Sequence, residues 1–266
     1  MSYANGPRIV TDGLVCCLDA ANRKSYAGSG SAWNDLSGNN NHATLFASPT
    51  YDTNNKGSIS FNGSTQYAEV TTRNTNLEFQ PTVAFSCFLF IKSLPSGEND
   101  ALISNMYNDG TTYPGWDIWW NNDSTANTIA SHFISSWSSN AIKVHWTYNY
   151  SFYANKWVSI ALTYDGSCPT NSTQTLSSVN LYLDGILTTA GKAIATSNAN
   201  GFNASNETIS YNSSQRFRVS SRWSSGGVER PSDFQAGSIL LYNNKQLSAN
   251  EIKQNYDALK GRYGLT

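Results

Sequence analysis

The 266-residue sequence is poor in charge, since only 13% of its residues are Asp, Glu, Lys or Arg and the formal net charge is −1. Proteins that bind nucleic acids carry a clustered basic surface, so we do not expect a nucleic-acid partner. Aromatic residues make up 13% of the chain and hydrophobic residues 39%. A disordered protein has the reverse composition, so the sequence indicates a folded, nearly neutral protein.

Cysteine is also scarce, with four residues and no Cys-x-x-Cys pair. We therefore expect free thiols in the core and no zinc site. No apolar run approaches the roughly 20 residues that a membrane-spanning helix needs. The first residues have neither the basic nor the apolar region of a secretory signal, so we expect synthesis and folding in the cytoplasm.

Short alternating strands separated by Gly, Asn, Asp, Ser and Pro dominate the sequence and are typical of a β-sandwich. The alternation of inward and outward residues, which has a period of two in a strand, is clearest at Val179, Leu181 and Leu183. The Asp184-Gly185 pair that follows favours a tight hairpin turn. Segment 85–92 is apolar on both faces, as in a strand that is covered on both sides. Further strands are predicted at 14–18, 58–61, 67–70, 101–105, 116–120, 143–150, 157–164, 179–183, 216–220 and 237–242.

One helix is predicted near the C-terminus, at about 248–260. Ser248 and Glu251 form a capping box, and Gly261 is expected to end the helix in a left-handed conformation. Segments 19–41, 167–178 and 190–211 are polar and weakly patterned, so they are predicted to be loops. We expect an N-terminal arm (1–12) that is free to lie on a neighbouring subunit, followed by a single domain (13–266).

Several segments, in this order, resemble the laminin-G-like/concanavalin-A-like jelly-roll superfamily. They are SISFNGSTQY at 58–67, FSCFLFIK at 85–92, WVSIALTYDG at 157–166, NLYLDG at 180–185 and GSILLYN at 237–243. The resemblance implies an all-β, two-sheet antiparallel jelly-roll sandwich with a short C-terminal helix. Packing explains the tryptophans, turn glycines and helix cap of these motifs, so the resemblance says little about a ligand.

The two ends of the chain carry a narrower resemblance. GLVCCLDAANRKSY at 13–26, WNDLSGNNN at 33–41 and EIKQNYDALKGRY at 251–263 look like the opening and close of such domains in tailed-phage virion proteins. The resemblance implies a non-catalytic virion component, either a capsid decoration protein or a tail- or fibre-associated surface protein. Its partners would be other virion proteins, and its location the virion. Self-association is left open, since no heptad repeat enforces a trimer.

Catalysis is not expected from the residues present. The jelly-roll fold also occurs in glycoside hydrolases, which need a pair of carboxylates flanking the scissile bond. The sequence has no E-x-D-x-x-E strand, no G-x-S-x-G elbow and no H-E-x-x-H motif. A glycoside hydrolase is therefore the less favoured alternative, with Asp117 as the acid to test. The simpler interpretation of Asp117 is a solvent-facing or loop-anchoring residue.

A candidate ligand site lies among the aromatic residues between positions 116 and 152. Period two places Trp116 and Trp120 on one strand face and Asp117 and Trp119 on the other. Exposed aromatic faces stack on sugars and anchor interfaces, which keeps open a carbohydrate-binding adhesin that recognises host surface glycans. Trp119 and Trp137 are the expected exposed pair. The candidate ligand-binding residues are Trp119, Trp137, Asp117 and His145.

No cofactor is required by these patterns. Calcium is common among proteins of the resembled family and is held there by loop oxygens, so a Ca²⁺ ion is kept as an option. Asp and Asn side chains are also frequent in loops for turn reasons alone, and no ligand set is assigned. The residues available to a calcium ion are Asp109, Asp117, Asn121, Asn122 and Asp123.

Overall fold

The computed structural model describes residues 7–93, 100–122, 127–148, 153–194, 200–224 and 227–266. These residues form twenty strands and two α-helices. The helices are α1 (Ser172–Ser178) and α2 (Ala249–Leu259), with short 3-10 helices at Asn54–Lys56, Thr75–Leu77 and Lys260–Arg262. The strands are β1 (Leu14–Asp19), β2 (Ala32–Trp33), β3 (Ala43–Phe46), β4 (Thr50–Asp52), β5 (Ser58–Ser60), β6 (Tyr67–Val70), β7 (Phe85–Ser93), β8 (Asp100–Asn108), β9 (Gly115–Asn122), β10 (Asn127–Ser136), β11 (Asn140–Thr147), β12 (Trp157–Tyr164), β13 (Val179–Leu183), β14 (Ile186–Thr188), β15 (Ala193–Ile194), β16 (Asn200–Gly201), β17 (Arg218–Val219), β18 (Arg222–Ser224), β19 (Gly227–Glu229) and β20 (Phe234–Asn243).

The strands form two sheets that pack face to face, so the predicted two-sheet sandwich is confirmed. The first sheet has the order β14-β13-β12-β7-β20-β5-β4, with β1 paired to β20. The second has the order β15-β11-β10-β9-β8-β17-β6-β3-β2. The β18–β19 hairpin joins it by a short parallel pairing with β8. All the other strand pairings are antiparallel in the parts of the chain described above.

The main core lies between the two sheets and is rich in aromatic rings. Phe79 stacks on Phe85 and Trp116, with ring centroids 4.4 and 4.8 Å apart. Period two sends alternate residues of β9, β10 and β11 into this core, which fixes the opposite set on the outer face of the second sheet. Inward residues of these strands include Trp116, Ile118, Trp120, Ile129, Phe133, Ile142, Val144 and Trp146.

A second apolar layer covers the outer face of the first sheet. Phe88 and Phe90 of β7 point away from the main core, and Tyr263 stacks on Phe90 with a centroid distance of 4.6 Å. Helix α2 begins at the predicted capping box, in which Ser248 Oγ accepts from the Glu251 amide. The prediction that segment 85–92 is covered on both sides is therefore confirmed.

The described part of the N-terminal arm lies on this same layer. The Val10 amide donates to Asn255 Oδ1 at 2.8 Å, and the Tyr242 hydroxyl donates to the Val10 carbonyl at 3.0 Å. Gln254 Nε2 donates to the Arg8 carbonyl at 2.7 Å. Arg8 and Val10 therefore contact the chain's own helix α2 and strand β20, and a contact of the arm with a neighbouring subunit stays a prediction.

Several sequence predictions need correction. The predicted loops 19–41 and 190–211 contain the two-residue strands β2, β15 and β16. Part of the predicted loop 167–178 is helix α1, because Asn171 caps its start by accepting from the Gln174 amide. Strand β10 was not predicted. Gly261 lacks the expected positive φ, since α2 continues into the 3-10 helix Lys260–Arg262 and Gly264 takes the left-handed conformation (φ +72°). Residues 149 and 150 of the predicted strand 143–150 lie outside the described residues.

The four cysteines are buried and free, as expected from the sequence. Within the described ranges, no helix combines the length and the apolar character that crossing a membrane requires.

Candidate functional site

The candidate site lies on the outer face of the second sheet, over strands β8 to β11. Strand register aligns the outward side chains of these strands in rows that run across the sheet. The central row contains polar and charged side chains, whereas the next row is mostly small or aromatic. The central row is Ser104, Asp117, His132 and Lys143, and the next row is Ala101, Trp119, Ala130 and His145.

Asp117 is the centre of a buried polar cluster. Its Oδ1 lies 2.8 Å from His132 Nδ1, and its Oδ2 accepts a hydrogen bond from Trp119 Nε1. Arg222 Nε lies 3.2 Å from the same Oδ2. Asp117 is only 1% exposed, so the interpretation as a solvent-facing residue is wrong. It anchors other buried side chains, among them Arg222 of the β18–β19 hairpin.

Arg222 reaches this cluster from the β18–β19 hairpin. Its Cζ lies 4.1 Å from the centroid of the Trp119 ring, which places the guanidinium over the indole. The side chain of Arg222 is almost fully buried, and its Nη2 has no hydrogen-bond partner among the described residues. Burial lowers the pKa of Arg222, although the charges of Asp117 and Glu229 act in the opposite direction.

Trp119 is 8% exposed, so the expectation of an exposed ring is wrong for this residue. The ring is covered by Arg222, and the Cζ of Arg230 lies 5.7 Å from its centroid. The prediction that it shares a face with Asp117, opposite Trp116, is correct.

Lys143 occupies the far end of the central row under the Trp137 ring. Its Nζ lies 3.5 Å from the centroid of that ring, a cation–π contact. Lys143 is 2% exposed, and burial lowers its pKa to about 8. Within the described ranges no carboxylate forms an ion pair with it. Trp137 itself is half-buried.

A second half-buried ring, Tyr113, stands beside Trp137 with the centroids 5.3 Å apart. Tyr113 has a φ of +53°, a conformation that non-glycine residues rarely adopt. Asp109 holds it there, since Oδ1 accepts from the amides of Thr111, Thr112 and Tyr113 at 2.9, 2.7 and 3.1 Å. The Trp137 amide donates to the Thr112 carbonyl at 2.9 Å, so the two rings are positioned together.

Partial burial would raise the pKa of Asp109, but hydrogen bonds from Thr112 and from these amides overcome that effect and lower it to about 2. The Asp109 carboxylate is therefore ionised and hydrogen-bonded to the loop that carries Tyr113.

His145 lies on the same outer face, at the margin of the site. It pairs with Ala130 of β10 and Ala193 of β15 and is half-buried, and burial lowers its pKa. The four residues predicted from sequence thus share one side of the sheet. Asp117, Trp119 and Trp137 belong to one cluster, whereas His145 lies in the same row as Trp119 but two strands away from it. Their role in binding a ligand stays a prediction.

Sequence reasoning missed Tyr113, His132, Lys143 and Arg222 as members of this cluster. Lys143 alternates with the apolar Ile142 and Val144, and that alternation was the available signal for an outward position. No comparable signal exists for Arg222, because a hairpin distant in sequence delivers it.

Calcium stays a prediction. Among the residues that the structure describes, no group of three or more His, Cys, Asp or Glu side chains is arranged to hold a metal. The oxygens of Asp109 and Asp117 are already engaged by protein donors. The side chains of Asn121, Asn122 and Asp123 lie outside the described residues.

No protein-family model matches the sequence, and neither does any curated protein. Similar solved structures include the binding domain of botulinum neurotoxin DC in complex with rat synaptotagmin II (12% identity, TM-score 0.62). The same domain in complex with SialylT is 14% identical with a TM-score of 0.61. The receptor binding domain of the botulinum neurotoxin C/D mosaic serotype is 16% identical with a TM-score of 0.60.

These matches cover 94%, 94% and 93% of this chain but only 52%, 52% and 51% of the other chains. The chain therefore spans about half the length of the domains it resembles. At this identity the likeness shows the fold alone, a β-sandwich of the jelly-roll kind that also serves in binding domains.

Proposed function

We propose that this chain is a non-catalytic binding domain on the surface of a tailed-phage virion, as a capsid decoration protein or a tail- or fibre-associated protein. The binding part rests on one observation, the buried cations Lys143 and Arg222 beside the half-buried rings Trp137 and Tyr113 on the outer face of the second sheet. Burying a charge without a partner is costly, and a sheet face with a purely structural role gains nothing from it. The arrangement supports a binding face on which a ligand supplies the partners that these cations lack.

The non-catalytic part is supported by the engagement of Asp117. Its oxygens hold His132, Trp119 and Arg222 in one cluster, whereas a glycosidase needs two carboxylates that flank the substrate. The similar solved structures are also binding domains. Incubation with polysaccharides is expected to release no reducing sugar. Release that disappears in an Asp117→Asn variant would overturn this part of the proposal.

The virion part is supported by the resemblance of the two chain ends to phage virion proteins. Docking to other virion proteins is further supported by Ile186 and Leu187, which are 72% and 48% exposed on the edge strand β14. Exposed apolar side chains on an edge strand favour pairing with another chain. We expect the protein in stoichiometric amounts on purified particles by mass spectrometry and at a defined position by electron microscopy. Its absence from purified particles would contradict the proposal.

A matched pair of variants locates the docking edge. Replacing both Ile186 and Leu187 with serine is expected to reduce the amount of protein bound to particles. Leu36→Ser removes another exposed apolar side chain away from β14 and is expected to leave that amount unchanged. Equal loss in both variants would show that β14 is not the docking edge.

Glycan binding is a second candidate function that is compatible with the first. One similar domain was solved in complex with SialylT, and the half-buried pair of Tyr113 and Trp137 offers ring surface for stacking on a sugar. A glycan array probed with and without calcium is expected to give signals that Trp137→Ala weakens. An array without any signal would contradict this function.

A further inference from the structure

The cluster on the outer face of the second sheet carries more positive than negative charge. Lys143, Arg222 and Arg230 each lie over one of its indole rings. Two carboxylates of the described residues face these three cations, Asp117 beside Arg222 and Glu229 opposite Arg222 in the hairpin register. Among the described side chains, and apart from Asp109, whose Oδ1 accepts from the amides of its own loop, the cations therefore exceed the facing carboxylates by one before the protonation of His132 is considered.

The unbalanced charge lies at the Lys143 end. Asp117 is engaged with His132 and Arg222, and Glu229 Oε1 accepts from Asn108 Nδ2 at 2.7 Å. Strand β10 separates Asp117 from Lys143, so their backbones are two strand spacings apart, about 10 Å. The Lys143 ammonium thus has the Trp137 ring as its partner and no counter-ion among the described residues.

A donor without a hydrogen-bond partner among the described residues belongs to the same cluster. Arg222 is 2% exposed, and its Nη2 makes no hydrogen bond within the described ranges. A guanidinium can only donate, so this group can be satisfied only by an acceptor such as a hydroxyl, carbonyl or carboxylate oxygen. Arg222 Nη2 therefore calls for an oxygen acceptor, and the Lys143 ammonium, which has no counter-ion among the described residues, calls for a negatively charged one.

The aromatic pair Tyr113 and Trp137 lies next to both cations, Arg222 and Lys143. Tyr113 stands 5.3 Å from Trp137 and 5.8 Å from the Cζ of Arg222, while Trp137 covers Lys143. Both rings are half-buried, and the Asp109 loop fixes their positions in advance. Rigid aromatic surface beside oxygen-seeking donors fits a pyranose ring, which has an apolar face and a polar rim.

We propose that this face binds an acidic saccharide, whose carboxylate is held by Lys143 while the sugar ring rests against Tyr113 and Trp137. A hydroxyl or carbonyl oxygen of the ligand accepts from Arg222 Nη2. This inference rests on the glycan-binding function proposed above and names its ligand class. An acidic peptide made of Asp or Glu residues would satisfy Lys143 but has no ring to use the aromatic pair.

Isothermal titration calorimetry with matched ligands tests the proposal. The probes are sialyllactose, the neutral lactose, an oligogalacturonate, and triglutamate as the acidic peptide. We expect the two acidic saccharides to bind at least tenfold more tightly than lactose. Lys143→Met is expected to lower their affinity at least tenfold, and Lys143→Arg is expected to restore most of it. Trp137→Ala is expected to weaken both acidic and neutral sugars.

The matched control is Lys260→Met. Lys260 Nζ lies 5.3 Å from the Tyr256 ring on the opposite side of the sandwich, so it is also a lysine over an aromatic ring. We expect this variant to bind like the unmodified protein. Near-ultraviolet circular dichroism shows whether each variant is folded, and the Lys143→Arg and Trp137→Ala variants keep the test decisive if Lys143→Met does not fold.

The outcomes separate this inference from the function on which it rests. Equal affinity for lactose and sialyllactose, with no effect of Lys143→Met, would overturn the acidic-saccharide assignment and leave glycan binding in place. Triglutamate binding as tightly as the acidic saccharides would overturn it in favour of an acidic peptide. If none of the sugars binds and a glycan array is also silent, glycan binding itself fails.

Discussion

Replacing Asp117 with alanine tests whether one carboxylate holds the buried cluster together. The change leaves Arg222 and His132 buried without their shared partner and removes the acceptor of the Trp119 indole. Breaking a buried ion pair by removing one partner costs about 3–5 kcal/mol, because the remaining charge stays desolvated. We expect the free energy of unfolding to fall by about 4 kcal/mol, a large share of the roughly 5–15 kcal/mol of a typical domain.

Urea unfolding, followed by tryptophan fluorescence, measures this loss. Asp257→Ala is the matched control, since Asp257 pairs with Lys253 and Lys260 on the surface of α2. Exposed pairs of this kind contribute at most about 1 kcal/mol. Asp117→Asn is expected to fall between the two, because its amide oxygen still accepts. A loss below about 1 kcal/mol for Asp117→Ala would refute the conclusion that the cluster is desolvated.

Further predictions concern the buried lysine, the thiols and the helix cap. Because burial lowers the pKa of Lys143 to about 8, the folded protein loses this proton at a lower pH than the unfolded chain does. Its unfolding free energy, relative to that of Lys143→Met, is therefore expected to rise between about pH 8 and pH 10, and a flat difference would contradict the burial of the ammonium. The thiols are expected to react with a disulfide reagent only after unfolding, since burial raises the pKa of Cys17 to about 12 and the thiolate is the nucleophile. Rapid reaction of the native protein would show that these sites open. Ser248→Ala removes the capping box of α2 and is expected to cost about 1 kcal/mol in urea unfolding, whereas an unchanged midpoint would show that the cap is dispensable.

Much of the fold was predictable because the residue pattern of several strands is enough to identify them without knowledge of distant contacts. The predicted bounds 67–70, 157–164 and 179–183 coincide with β6, β12 and β13. Strand β10 gave no such signal, since Ser131 faces inward with Ile118 as its neighbour and Ile134 faces outward. A polar residue toward the core and an apolar one away from it break the alternation on which the prediction depends.

The candidate site was predictable only in part. Period two correctly placed Asp117 and Trp119 on one face, because that depends on local backbone geometry alone. Their burial depends on Arg222, which arrives from a hairpin far along the chain, and no local pattern reports such a contact. The position of Trp137 likewise depends on its amide contact with the loop that carries Tyr113.

The central claim, that the outer face of the second sheet is the ligand-binding face, is tested most directly by the indole NMR signals of the eight tryptophans. During titration with sialyllactose, we expect the signals of Trp137 and Trp119 to shift. The signals of Trp33 in the main core and Trp157 beside Tyr263 on the first sheet are expected to stay in place. Saturable shifts at Trp157 with none at Trp137 would place the ligand on the other sheet and contradict the claim.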